Sequence, residues 1–301
     1  MRRPRALVLA ATLLGVALAT HPGPAAAAEV RVATLLPFVE DALRRIEGPF
    51  ALVATVRRAL HEPVAGAADL GNPHAPSLER LADARPTLVI GDRSLHAAQA
   101  TSLAIGGAEV LLLDTRSIDA TLAGLEEVGE RVGAAEAMRR ETAAVRARLA
   151  ELALAEPLPT LAVFGTPASF LVVTERTWLG DLLGRLSFRN VGDVPGGDER
   201  FPGLVALSDE TLAGLRPALV LLVAHGDPKA IEAAFLQRTT PGGPWSGLRA
   251  DAARGVHALD PELFTANPGL DLARAAEALV ALARAPAAPV PAAAGNGDTR
   301  E

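Results

Sequence analysis

The 301-residue chain contains no cysteine and no tyrosine. Without cysteine there are no structural disulfides, zinc fingers, iron–sulfur clusters or thiolate nucleophiles, and no N-terminal cysteine to carry a lipid. Without tyrosine there is no phenolate, a common hard ligand for ferric iron. Aromatic residues make up only 3%, with two tryptophans and eight phenylalanines. Positive charge is in deficit: the formal net charge is -6, which gives no global electrostatic case for nucleic acid. What the chain does have is apolar bulk. Half of its residues are hydrophobic, ample for buried cores in one large domain or two lobes.

The N-terminus reads as an export signal over residues 1–28. Arg2, Arg3 and Arg5 precede an apolar run from Ala6 to Ala19, which is short for a membrane-spanning helix, and small residues end at Ala26-Ala27-Ala28. An uncleaved anchor is the alternative. Glu29 is the expected mature start, and loss of the three arginines leaves the remaining chain more acidic.

From there, strand-like and helix-like segments alternate. Glu29–Leu36, Phe50–Val56, Thr87–Ile90 and Val110–Leu113 are predicted strands. Pro37 opens a helix with Phe38, Ala42 and Ile46 at helical spacing, and Ser117 caps one carrying Leu122, Leu125, Val128 and Val132. After Gly133, residues 134–157 form a run of Ala, Glu, Arg and Leu that Pro157 ends; about 23 helical residues would span roughly 34 Å. A second alternation follows, with strands at Thr160–Gly165, Phe170–Thr174, Leu219–Val223 and Val256–Leu259, a helix near Trp178–Leu186 and a final helix through Leu272, Leu279 and Ala283. The expected architecture is α/β: two Rossmann-like lobes, 29–133 and 158–284, with largely parallel sheets joined by one long rigid helix. Residues 285–301 read as a disordered tail. Ligands in such sheets bind beyond the carboxyl ends of the strands, so the cleft should lie between the lobes.

An internal repeat is the most informative pattern. Residues 77–89 align without gaps to 208–220, with eight of thirteen positions identical, one copy in each lobe. Each copy is a serine-capped short helix, a proline stop and a strand. Glu79 and Glu210 sit two residues into these helices, where a carboxylate complements the helix dipole. Alternatively, one acidic knob per lobe engages a partner with basic sockets.

Several segments together carry a family resemblance: the two repeats; Asp114–Gly133; Trp178-Leu179-Gly180-Asp181-Leu182-Leu183 leading to Phe188-Arg189-Asn190-Val191; Trp245–Leu248; Gly255–Asp260; and Asn267-Pro268-Gly269. The chain resembles the periplasmic substrate-binding proteins of ABC importers for iron–siderophores, haem and cobalamin. The resemblance implies two lobes around a ligand cleft, no catalytic role, and a monomer exported to a Gram-negative periplasm. It implies two partners: a metal chelate (iron–siderophore, haem or cobalamin) as cargo, and a permease with its ATPase. It also implies that Glu79 and Glu210 dock on permease arginines. The Asn72-Pro73-His74 turn is similar to one in the related zinc and manganese binding proteins, where the histidine is a metal ligand.

Ligand candidates follow from position. His74 lies before the first repeat helix, His225 at the carboxyl end of the second repeat's strand, and His61 after a strand in the first lobe. Neutral imidazole suits zinc, copper, cobalt or haem iron. Trp178, Phe38 and Phe170 are candidates to pack on a planar ligand, and Arg57 or Arg58 to pair with its carboxylates. His96 and His257 read as surface or structural. The rival cargo is a divalent metal ion held by His74, His225 and a carboxylate. The rival class is a periplasmic metallohydrolase in which Asp227, next to His225, assists a metal-bound water. No nucleophile elbow, phosphate-binding loop or His-Glu-x-x-His motif is present.

Overall fold

The computed structural model describes residues 29–57, 64–167, 169–193, 202–251 and 255–285. The expected signal (1–28), Arg58, His61 and the tail from 286 onward lie outside the described residues.

The first lobe runs β1 (Val30–Thr34), α1 (Pro37–Arg45), β2 (Phe50–Thr55), β3 (Ala68–Asp69), α2 (Leu78–Ala84), β4 (Leu88–Asp92), α3 (Arg93–His96), α4 (Ala100–Leu103), β5 (Glu109–Leu113) and α5 (Ile118–Arg131). Its sheet has the order β3-β2-β1-β4-β5 and every pairing is parallel. α6 (Ala135–Ala150) leads to the second lobe: β6 (Leu158–Gly165), β7 (Phe170–Val173), α7 (Trp178–Arg185), β8 (Phe188–Asn190), β9 (Leu204–Val205), α8 (Asp209–Gly214), β10 (Leu219–Ala224), α9 (Pro228–Arg238), α10 (Ser246–Asp251), β11 (Val256–Ala258), α11 (Pro261–Phe264) and α12 (Leu272–Arg284). Here the order is β11-β10-β6-β7-β9, with β8 also paired to β6.

The second sheet is parallel except at β7, which runs antiparallel to β6 and β9. The cause is local. Just past β6, Thr166 N–H donates to the Ser169 carbonyl at 2.8 Å, and β7 begins at Phe170. So short a connection makes a hairpin, whereas a parallel return needs a crossover.

The linker helix is shorter than its composition predicts. It ends at Ala150, and 16 residues span about 24 Å. Helix-forming residues continue beyond it, but Leu152 is buried and Leu154 N–H donates to the Leu186 carbonyl at 3.1 Å. Pairing with the second lobe outweighs helix propensity over 151–157. The helix is also not the only bond between lobes. α12 returns to pack on α6, and one apolar core takes in Val32 and Ile90, Met138 of α6, and Leu182, Leu219 and Leu279.

Strand alternation builds that core. In β4, Leu88 and Ile90 face it while Val89 joins a separate first-lobe cluster. In β10, Leu219, Leu221 and Val223 face it while Val220, Leu222 and Ala224 join the second-lobe cluster around Phe235 and Trp245. The repeats match in structure too. Ser77 Oγ accepts from Arg80 N–H at 3.3 Å and Ser208 Oγ from Thr211 N–H at 3.1 Å, with Leu81 and Leu212 buried beneath. They diverge at the exit. Arg85 is left-handed (φ 46), with its carbonyl and that of Ala84 both accepting from the Arg31 guanidinium, whereas Leu215 is extended.

Candidate ligand site between the lobes

Where β5 ends, the chain continues into Asp114, Thr115, Arg116 and Ser117; where β7 ends, it continues through Thr174 into Glu175 and Arg176. These two strand exits face one another. Asp114, Arg116 and Ser117 from the first lobe, with Glu175, Arg176 and Pro202 from the second, line a cleft of about 520 Å³. On the first-lobe side this is the carboxyl edge of a parallel sheet, where open α/β sheets bind ligands; on the second-lobe side it is the exit of the antiparallel β7.

The lining is polar and carries both signs of charge. Arg116 holds Asp114 through two bonds, Nε to Oδ1 at 3.0 Å and Nη2 to Oδ2 at 2.6 Å. The Arg116 hydrogen bonds are the main reason that the Asp114 carboxyl drops to about 2, and Asp114 in turn raises Arg116. Arg176 is different. It is exposed, and its guanidinium has no hydrogen-bond or ion-pair partner among the described residues. The cleft therefore offers one guanidinium already neutralised and one ready for an incoming anion.

The first-lobe wall is braced from two sides. From the second lobe, Asp181 Oδ2 accepts Ile118 N–H at 2.7 Å, and Arg185 reaches Asp181 at 3.1 Å and Asp119 at 2.8 Å. The Arg185 bond lowers the Asp119 carboxyl. Asn267 Nδ2 donates to the Thr115 carbonyl at 3.1 Å and to Thr121 Oγ1 at 2.7 Å. Gly269 follows at φ 57, and a Cβ there would stand 2.7 Å from the Phe38 ring, so the turn that aims Asn267 requires glycine. From below, Thr115 Oγ1 donates to Asp92 Oδ2 at 2.5 Å. The other Asp92 oxygen accepts from Leu95 N–H and from both the N–H and hydroxyl of Ser94.

Among the described residues, none of those singled out from sequence as ligand-binding lines this cleft. His74 is exposed on a turn closed by its own N–H to Asn72 Oδ1 at 2.9 Å. His225 is exposed at the end of β10, stacked on Phe164 at 5.5 Å. Among the described residues no three His, Asp or Glu side chains gather as a metal site. Phe38 is 4% exposed and belongs to the shared core. Phe170 packs edge-on against Phe235 and Trp245, each at 5.5 Å, under Arg238. Trp178, half-buried, stacks on Phe264 at 6.3 Å. These three rings fill apolar space because a chain with so few aromatics places them where most area is buried. Arg57 is committed to Asp69 at 2.6 Å and holds that carboxyl below its usual range. Asp227, assigned to a hydrolytic water, instead caps α9: its Oδ1 accepts Lys229 N–H at 3.0 Å and Ala230 N–H at 3.4 Å.

Sequence reasoning passed over Asp114, Arg116, Glu175 and Arg176. The available signal was charge of both signs directly after two predicted strands. Glu79 and Glu210 are exposed, one per lobe, at matching positions of α2 and α8.

A model of the periplasmic binding protein family matches residues 54–262. The Fe(3+) dicitrate-binding periplasmic protein FecB of Escherichia coli K12 is 30% identical over 205 residues, 67% of this chain and 65% of that protein. The high-affinity heme uptake system protein IsdE of Staphylococcus aureus is 28% identical over 115 residues, 38% of each chain. The matches thus span less than two thirds of these curated relatives. Among solved structures, S. aureus IsdE complexed with heme superposes with a TM-score of 0.71 at 18% identity, covering 84% of this chain and 98% of that one. A periplasmic heme-binding protein from Pseudomonas aeruginosa gives 0.65 at 24% identity, covering 84% and 91%. The match covers most of the chain, and the fold agrees from end to end of the solved relatives: this chain belongs to the periplasmic binding protein family.

Proposed function

We propose that this protein is an exported, non-enzymatic binding protein. It captures a metal chelate or tetrapyrrole between its lobes and delivers it to the permease of an ABC importer. The observation that carries the reading is the cleft at the two strand exits, with Arg116 neutralised by Asp114 and Arg176 unpaired among the described residues. A guanidinium receives a carboxylate in a planar, two-bond geometry that few other groups match. Ferric citrate and haem both present carboxylates, and relatives named for each are similar to this chain. The six lining residues include no aromatic ring, which favours a hydrophilic carboxylate chelate over a planar tetrapyrrole.

Glu79 and Glu210 are the docking knobs in this reading, each exposed on a capped helix with its charge directed away from the core. Such pairs orient a complex more than they tighten it. A metal-bound hydrolytic water finds no support at Asp227, whose carboxylate caps α9.

The test is to purify the exported protein and titrate it with ferric citrate, haemin and cobalamin, following visible absorption and bound metal. Saturable one-to-one uptake of ferric citrate supports the reading. A Soret band at stoichiometric haem shifts the cargo to tetrapyrrole. Binding of none of the three, with stoichiometric uptake of a free divalent ion, overturns it.

A further inference from the structure

We infer that His96 makes the first-lobe wall of the cleft responsive to pH: the neutral imidazole holds the wall in place, and protonation releases it. His96 ends α3 and is 0% exposed. Its Nδ1 lies 2.9 Å from the backbone nitrogen of Asp92, and its Nε2 lies 2.8 Å from the carbonyl oxygen of Pro73. Each partner can play only one role. A backbone N–H donates, so Nδ1 carries a lone pair; a carbonyl accepts, so Nε2 carries the hydrogen. The surroundings thus specify one tautomer of the neutral ring.

A second proton has no place in this arrangement. A hydrogen on Nδ1 would point at the Asp92 N–H, donor against donor, in a site without solvent. The ring occupies the room that a side chain at Gly91 would take: a Cβ there would stand 3.0 Å from Nδ1. The charged or titratable groups on the elements that hold it are Asp92 and Arg93, which precede it on β4 and α3, His74, which follows Pro73, and Asp114 and Arg116 on the loop tied to Asp92 through Thr115. The Asp92 carboxylate adjoins this contact, its Oδ1 accepting from Ser94 and Leu95 and its Oδ2 from Thr115. An imidazolium drawn to Asp92 competes with Thr115 for Oδ2, and the Asp92 N–H loses its acceptor.

Both escape routes reach functional elements. Loss of the Thr115 bond frees the residue between Asp114 and Arg116, the two charges of the cleft wall, and the Thr115 carbonyl is also the contact of Asn267 from the second lobe. Loss of the His96 ring position frees Pro73, hence the turn that leads into the Ser77 cap and Glu79. The consequence for cargo affinity rests on the cleft being the ligand site; the consequence for the wall does not.

The experiment uses the mature chain. Histidine ¹⁵N spectra report tautomer and charge, and amide hydrogen exchange reports the wall, both without ligand. The expected result is an Nε2–H tautomer at neutral pH, and loss of exchange protection at Asp92, 73–77 and 114–117 in step with His96 protonation. His96→Gln, which stays neutral, keeps a constant level of protection over that range. With ferric citrate as probe, affinity in the wild type falls roughly tenfold per pH unit once the folded protein's His96 titrates, and His96→Gln removes that slope. An Nδ1–H tautomer, protonation without change in exchange, or the same acid-induced loss in His96→Gln overturns the inference. If His96→Gln does not fold, wild-type tautomer and exchange decide the matter. If ferric citrate does not bind at any pH, the cargo reading fails while the exchange data still judge His96.

Discussion

The carboxylate of Asp181, in the second lobe, accepts the backbone N–H of Ile118, in the first, at 2.7 Å. Ile118 is the first residue of α5, so a helix of one lobe has part of its open amino end satisfied by a side chain of the other. Asp181→Ala leaves that amide and Arg185 without their shared acceptor. The expected loss is about 1–3 kcal/mol in urea unfolding, with Asp181→Asn recovering part of it. An Asp181→Ala protein as stable as wild type would show that the bridge contributes nothing.

Closure on binding should be small. The lobes share an apolar core and are joined by Asp119–Arg185, Asn267–Thr115 and Arg45–Asp271 in addition to α6. Opening by a wide hinge would tear that core apart. Small-angle scattering with and without cargo should show nearly the same radius of gyration. A rearrangement of tens of degrees would contradict the shared core.

Arg176→Ala should lower affinity for a carboxylate chelate by roughly tenfold or more while leaving the melting temperature nearly unchanged, because its guanidinium makes no hydrogen bond or ion pair among the described residues. Arg116→Ala should do both kinds of harm, since it also strands Asp114. Isothermal titration and thermal unfolding of the two variants separate the roles.

Asp114 sets a pH dependence of its own. Its folded value of about 2 lies below the ordinary 3.8, chiefly through the Arg116 hydrogen bond. A depressed carboxyl contributes stability that is fully present above 3.8 and is lost as pH falls toward about 2. Arg116 is 59% exposed, so solvent screening keeps the effect modest. Asp114→Asn should lower the melting temperature by a small constant amount above about pH 5, where the contribution is fully present, and match the wild type near pH 2, so that the acid limb flattens.

Removing both docking carboxylates, Glu79→Ala with Glu210→Ala, should abolish uptake in cells while cargo binding by the purified protein stays at wild-type level. Trp245→Phe tests the support behind the second knob. The indole N–H donates to Asp209 at 2.8 Å, next to Glu210, so its loss should lower uptake without affecting cargo binding. Normal uptake by the double variant would remove the docking reading.

Much of the fold is written in local pattern. Ser117 with Leu122, Leu125 and Val128 predicts α5, and all three leucine and valine positions are fully buried. The paired Ser-x-Glu segments predict two equivalent capped helices, and both caps are made. Where the reading overran, tertiary pairing decided: residues 151–157 have helical composition but donate to the second lobe. The site was harder to read. Histidine and aromatic chemistry drew notice, but in a chain this poor in rings the core had first claim on Phe38 and Phe170. The cleft instead uses arginine and acid at strand exits, ordinary surface residues until two sheets bring them together.

The continuous apolar core has a last consequence, for how such a protein can diverge or be re-engineered. Met138 of the linker helix lies in one apolar core with side chains of both sheets, so a chimera joining the first half of this chain to the second half of a relative would mismatch its interior before it changed its rim. The halves are not exchangeable modules. If the cleft is the ligand site proposed above, new cargo preference is reached by substituting the few exposed residues after β5 and β7, which the core holds in place but does not contain.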